Sequence, residues 1–337
     1  GKADAVFYFP FDFKFSVRSA LANFKPSVVL LMETEIWPRF FREAHLTGAK
    51  IAIVNGRLSA KSFRRYLRIK SFIGKVLSYV DLALMQDEND ARRIDSLGIP
   101  YAQIRVTGNI KFDLKIDESE TSLTEELRMR FAIGTGRPLI IAASTHSPEE
   151  DWILQAFREL FDSCENKPRL LIAPRHPQRF DEVAEIVKSA GFSIVRRSET
   201  ESENSKTANV ILLDSIGELR AVYPLATMVF VGGSLIPHGG QSVLEPAAAG
   251  KAVVTGAYTH NFDAVVRAFL ANKALIQLPS TPDGQIVEEI YKSFEILIHD
   301  PVERDVIGGN AAKVMIWNRG ATARTLEALR PVIGSSE

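Results

Sequence analysis

Short apolar runs alternate with amphipathic stretches along the whole 337-residue chain, the periodicity of repeated βαβ units and parallel sheets. In the first half the runs that read as strands are residues 6–9, 28–32, 51–54, 82–85 and 104–107, the first as a buried strand. Residues 38–47, 60–79 and 88–97 carry the helical period. The polar segment 113–123 interrupts the pattern and reads as a linker. The pattern then restarts with strands at 139–143, 169–173, 193–195, 210–213, 228–231, 252–255 and 275–277, mostly bounded by Gly, Pro or Ser. The tract 198–205, rich in Ser and Glu, reads as a solvated surface loop. The end is helical over 285–299, 301–318 and 321–329. These elements predict an α/β protein with two Rossmann-like domains facing a cleft, over 1–120 and 121–312. A C-terminal helix in 313–337 is expected to pack back toward the first domain.

Composition narrows the partners. Lys plus Arg and Asp plus Glu number 41 each, so no net field draws the whole molecule to nucleic acid or to an anionic membrane. Any such attraction is local. The single cysteine, Cys164, excludes an internal disulfide framework and a cysteine-rich metal site, and fits a reducing compartment. No apolar run reaches the roughly 18 residues that span a bilayer, and no signal peptide is expected from the pattern of the first residues. The chain starts with Gly and enters a strand pattern almost at once, so a missing upstream segment is expected.

Ligands of open parallel sheets bind at the carboxyl ends of strands, which turns attention to the polar residues there. The densest group is Gly232-Gly233-Ser234-Leu235, a loop, then Gly239-Gly240 and a helix start bearing Glu245. Glycines admit close backbone approach, and free amides at a helix start favour an anion. A carboxylate at Glu245 suits two ribose hydroxyls, or it is simply a charge on the helix surface. The run 139–143 delivers Ser144, Thr145 and His146, and the run 169–173 delivers Arg175 and His176. Hydroxyls with a guanidinium suit phosphate or carboxylate recognition. Metal binding by His146 and His176 lacks a third ligand at suitable spacing, and no G-x-S-x-G elbow supports a serine triad.

In the first half, residues 28–32 end in Glu33-Thr34-Glu35-Ile36-Trp37-Pro38. Capping accounts for one of these side chains; two Glu beside Trp exceed it, and paired carboxylates can bind hydroxyls or act as a base. Arg57 and Lys111 follow two other strands and are expected to point into the same cleft. The helix after Arg57 carries Lys61, Arg64, Arg65, Arg68, Lys70 and Lys75 interleaved with Phe63, Tyr66, Leu67, Phe72 and Ile73. That is either an ordinary solvated face or a surface for an anionic bilayer.

Taken together these residues resemble the 3-deoxy-D-manno-octulosonic acid (Kdo) transferases of lipopolysaccharide synthesis. The pattern spans nearly the whole chain: E-T-E-I-W-P (33–38), N-G-R-L-S (55–59), T-G-N-I-K-F-D (107–113), A-A-S-T-H (142–146), A-P-R-H-P (173–177), G-E-L (217–219) and G-G-S-L…G-G-Q-S-V-L-E-P-A (232–247). The resemblance implies a GT-B glycosyltransferase that moves Kdo from CMP-Kdo to a lipid A precursor with inversion, with no cofactor and no metal at the donor phosphate. It implies that residues 1–120 serve the acceptor and 121–312 the donor. Ser144, Thr145, His146, Arg175, His176, Gly233, Ser234 and Glu245 would hold the donor. Glu35 and Lys111 would serve catalysis, with Glu33 and Arg57 on the acceptor side. It further implies action at the cytoplasmic face of the bacterial inner membrane, with no nucleic-acid partner. An N-terminal anchor and a general base would lie upstream, which would leave this chain inactive in transfer. Gln241-Ser242 stand where the family commonly has His-Asn. Two other readings share these features: another two-domain nucleotide-sugar transferase or epimerase, and a non-catalytic membrane-associated relative.

Overall fold

The computed structural model describes residues 3–114, 118–134 and 136–334. Two compact units are present, one of Gly1–Asp113 with Asn318–Glu337 and one of Leu114–Trp317. The first contains α1 (Lys14–Phe24), β1 (Val28–Met32), α2 (Pro38–Leu46), β2 (Lys50–Gly56), α3 (Ala60–Leu67), α4 (Lys70–Leu77), β3 (Leu82–Met85), α5 (Glu88–Leu97) and β4 (Ile104–Val106). The strands form a parallel sheet in the order β1-β2-β3-β4. Alternation sends Ile51 and Ile53 of β2 to one face, where they join Phe41, Leu77 and Ile94 in a core. Ala52 and Val54 go to the other face, against Leu329 near the C-terminus.

Two expectations fail in this unit. Residues 6–9 form no strand, and Val6 and Tyr8 are 93% and 99% exposed. Apolar character there is met by ring packing: Phe7 stacks on Phe24 at 4.2 Å, and Phe9 lies 4.9 Å from Phe40. The single helix over 60–79 is two helices, because Ile69 (φ −123°, ψ 32°) leaves helical geometry between α3 and α4. The break lets Ile73, Val76 and Leu77 face the core, while α3 buries none of its residues.

The second unit runs α6 (Glu118–Arg130), β5 (Leu139–Thr145), α7 (Glu149–Ser163), β6 (Arg169–Pro174), α8 (Phe180–Ser189), β7 (Ile194–Arg196), α9 (Glu203–Thr207), β8 (Val210–Leu212), α10 (Leu219–Val222), β9 (Met228–Val231), α11 (Leu244–Ala248), β10 (Ala252–Thr255), α12 (Asp263–Ala271), β11 (Ile276–Gln277), α13 (Asp283–His299) and α14 (Pro301–Asn318). The last helix, α15 (Ala321–Ile333), belongs to the first unit. The seven strands are parallel in the order β11-β10-β9-β5-β6-β8-β7. Because β5 pairs β6 on one side and β9 on the other, the chain turns in opposite directions from neighbouring strands. That is a topological switch point, where a crevice opens. Ile140, Phe157, Ile172, Phe230 and Phe294 close the core beneath it, each 0% exposed.

The expected linker is corrected here: 118–123 are the start of α6, whose Thr124 and Leu127 are buried. Residues 115–117 lie outside the described residues. A helix with few inward positions reads as polar throughout, which hid it. The tract 198–205 is likewise more than loop: Ser202 and Ser205 form a capping box on α9, and Ser205 is buried. Arg169 is a buried cation satisfied by the carbonyls of Phe131, Ala208 and Ser205. Burial pushes its pKa down to about 10. Among the described residues no helix is long and apolar enough to cross a membrane.

Candidate functional site

Glu33, Thr34, Asn55 and Ser144 have φ of 54°, 68°, 52° and 54°. All four stand at the carboxyl ends of strands, where left-handed backbone on a non-glycine residue marks a position held by its surroundings. In the first unit these turns build one cluster. Glu33 Oε1 lies 2.6 Å from Lys111 Nζ and its Oε2 3.2 Å from Arg57 Nε. Thr34 Oγ1 accepts from Arg57 N at 3.0 Å, and Asn55 Oδ1 accepts from Ile110 N at 3.1 Å. The next residue, Leu58, is clamped on both backbone groups: its N–H donates to Asp90 Oδ1 and its carbonyl accepts from Arg93 Nη1. Burial raises the pKa of Asp90, opposed by that amide.

Glu35 is exposed and accepts from the Trp37 indole at 3.2 Å. Lys111 pairs with Glu33. Capping of α2 falls to neither Thr34 nor Glu35. Asp12, which no motif marks, accepts from the amides of Arg39 and Phe40 at 3.0 and 2.7 Å. The basic side chains of Lys61, Arg64, Arg65, Arg68, Lys70 and Lys75 are exposed, beside Leu67, Ile69 and Phe72, which are also exposed.

In the second unit the segments after β5, β6 and β9 meet at the switch point. His146 Nδ1 lies 3.2 Å from the Ser144 carbonyl, which can only accept, so this nitrogen carries the proton. Its Nε2 is buried and has no hydrogen-bond partner among the described residues. The ring centroids of His176 and His238 are 5.2 and 4.3 Å away. Burial, then the imidazoles of His238 and His176, hold the His146 pKa below its ordinary value. Arg175 and His176 are exposed, and Arg175 is tied to β5 through its amide and the Thr145 carbonyl at 3.0 Å.

Thr145 and Ser234 use their hydroxyls inside the fold. Thr145 Oγ1 donates to Glu150, which also pairs with Arg179 at 2.7 Å. Ser234 Oγ donates to the Val231 carbonyl and accepts from Gly256 N. Both residues are 0% exposed, so they shape the wall of the site and do not offer it a hydroxyl. The amides of Gly233, Ser234 and Leu235 all donate to Glu149. The helix whose start was expected to offer free amides, α11, is only five residues long. Gly232 is required by space: an added Cβ would lie 2.8 Å from Glu149 Oε2 and from Thr145 Cα.

Glu245 lines a cavity of about 280 Å³ with Glu120, Thr124, Arg128, Arg220 and Tyr223. Burial raises its pKa, with Arg220 opposing. Among the described residues no group of three or more His, Cys, Asp or Glu side chains could hold a metal ion.

The family model described as 3-deoxy-D-manno-octulosonic-acid transferase (kdotransferase) matches residues 1–114. The 3-deoxy-D-manno-octulosonic acid transferase of Haemophilus influenzae is 36% identical over 332 residues, covering 98% of this chain and 76% of that protein. The crystal structure of the C-terminal CMP-Kdo binding domain of WaaA from Acinetobacter baumannii aligns with TM-score 0.51 and 32% identity, covering 59% of this chain and 99% of that one. A glycosyltransferase from Rickettsia africae aligns with TM-score 0.61 over 98% of this chain and 85% of its own, and at 11% identity it shares the fold alone.

Proposed function

The chain belongs to the Kdo transferase family of glycosyltransferases, and on that premise we propose that it moves Kdo from CMP-Kdo to a lipid A precursor in lipopolysaccharide synthesis. The acceptor hydroxyl attacks the anomeric carbon of Kdo with inversion. The bond from that carbon to the phosphate oxygen breaks, CMP leaves with the electron pair, and a base takes the hydroxyl proton.

The observation that carries this reading is the convergence of Ser144, His146, Arg175, His176 and Gly233 at the β5/β9 switch point. Arg175 and His176 are the exposed members, suited to the phosphate of the donor. A preorganised guanidinium stabilises charge on the departing CMP. A monophosphate leaving group carries less charge than a diphosphate, so neither metal nor cofactor is invoked. Glu245, half buried in its own cavity, would accept from ribose hydroxyls. In the first unit the Glu33–Arg57–Lys111 cluster, with exposed Glu35, would meet sugar and acceptor. The basic, apolar-studded face of α3 and α4 supports docking on an anionic inner-membrane surface, on the cytoplasmic side.

Calorimetric titration tests the donor. CMP is expected to bind more tightly than UDP, and Arg175→Ala to weaken CMP by about 10- to 100-fold, the range of a charge-assisted hydrogen bond. Preference for UDP would transfer the chain to another class of nucleotide-sugar enzyme.

A further inference from the structure

Glu149 belongs to none of the motifs, and four backbone amides converge on its carboxyl group, opposing a burial that raises its pKa. The residue is 0% exposed. Its Oε2 accepts from the amides of His146 and Gly233 at 2.9 and 2.7 Å, and its Oε1 from those of Ser234 and Leu235, both at 2.9 Å. A carboxylate has about four acceptor positions, and four donors fill them. Backbone amides converging on one point are a common anion-binding arrangement; here the chain fills it with its own side chain. The donors come from two separate segments, one after β5 and one after β9. Gly232 has no room for a side chain because the carboxylate and the backbone of Ser144 and Thr145 pass beside it.

We propose that Glu149 is a positioning residue of the donor site, an internal anion that fixes His146 and the loop 233–235 relative to each other. The inference rests on the donor reading above, and adds to it that these four amides are not offered to the donor's phosphate. The phosphate is met by side chains instead.

Two measurements on the whole chain test this. In hydrogen exchange, the loop amides of Gly233, Ser234 and Leu235 are expected to exchange slowly in the wild type and at least about 10-fold faster in Glu149→Gln, whose amide group opposes the incoming N–H donors. Wild-type exchange as fast as in exposed loops overturns the proposal, and this arm needs no variant to fold. In calorimetry, Glu149→Gln and Glu149→Ala are expected to lose about 10- to 100-fold in CMP affinity. Formate, placed where the carboxylate was, is expected to restore about fivefold or more to Glu149→Ala. Ile153→Ala, a core cavity on the same helix, is expected to lower stability while keeping CMP affinity within about twofold. Wild-type affinity in Glu149→Gln, or equal loss and equal formate response in Ile153→Ala, overturns the proposal. Absence of CMP binding by the wild type would instead sink the donor reading and leave the exchange result standing.

Discussion

Glu33 and Glu35 stand two positions apart after β1, yet they meet different surroundings. The left-handed turn at Glu33 and Thr34 aims the first at Arg57 and Lys111 and leaves the second in solvent against Trp37. The three charges are 28–41% exposed, so water screens their attraction. Glu33→Gln is therefore expected to cost less than about 1 kcal/mol of stability in urea melts. In a chain extended to carry the expected upstream base, transfer should fall about 10-fold or more while CMP affinity is unchanged, because the lost contacts orient Arg57 and Lys111. His146 supplies a prediction in pH. Its folded pKa lies below the ordinary 6.5, so the unfolded chain binds more protons in the window beneath that value. Stability is fully present above pH 6.5 and declines as pH falls toward the depressed pKa. His146→Gln is expected to flatten the slope of unfolding free energy against pH just below pH 6.5.

At the scale of elements, period and turn residues located most strands closely: 28–32, 82–85, 228–231 and 252–255 stand where the pattern put them. The misses share a cause. An apolar run such as 6–9 reports a demand for burial without saying whether a neighbouring strand or aromatic rings will meet it. A helix such as α6 shows little period when little of it faces inward. The break between α3 and α4 is set by how Ile73 and Leu77 fit the core, which no local pattern records. The same break leaves Arg64, Arg65 and Arg68 exposed next to Leu67, Ile69 and Phe72. Replacing the three arginines by Ala is expected to weaken binding to anionic vesicles on the order of 100-fold, at about 1 kcal/mol each. The loss should shrink as salt is raised; binding that ignores both changes would rule out docking by this face.

At the scale of the molecule, the second unit holds its own core, from Ile140 through Phe294, and the whole seven-stranded sheet. Residues 114–317 expressed alone are expected to unfold in one cooperative transition and to bind CMP within about threefold of the whole chain. Titration of the two side by side checks this, and a much weaker fragment would move donor determinants outside the second unit.

By itself the sequence determined the family, the α/β class and the strand ends at which chemistry collects. Those are written in short stretches, where the backbone period and the turn residues act within a few positions of one another. The tertiary structure alone decided which of the strand-end side chains stay exposed and which turn inward to hold the strand ends together. Thr145 and Ser234 turn inward, and Lys111 pairs with Glu33. Glu149 reaches 84 residues along the chain to take the Gly233 amide. Such partners are fixed by which strand ends become neighbours, and a buried carboxylate finds its donors only after the sheet has formed.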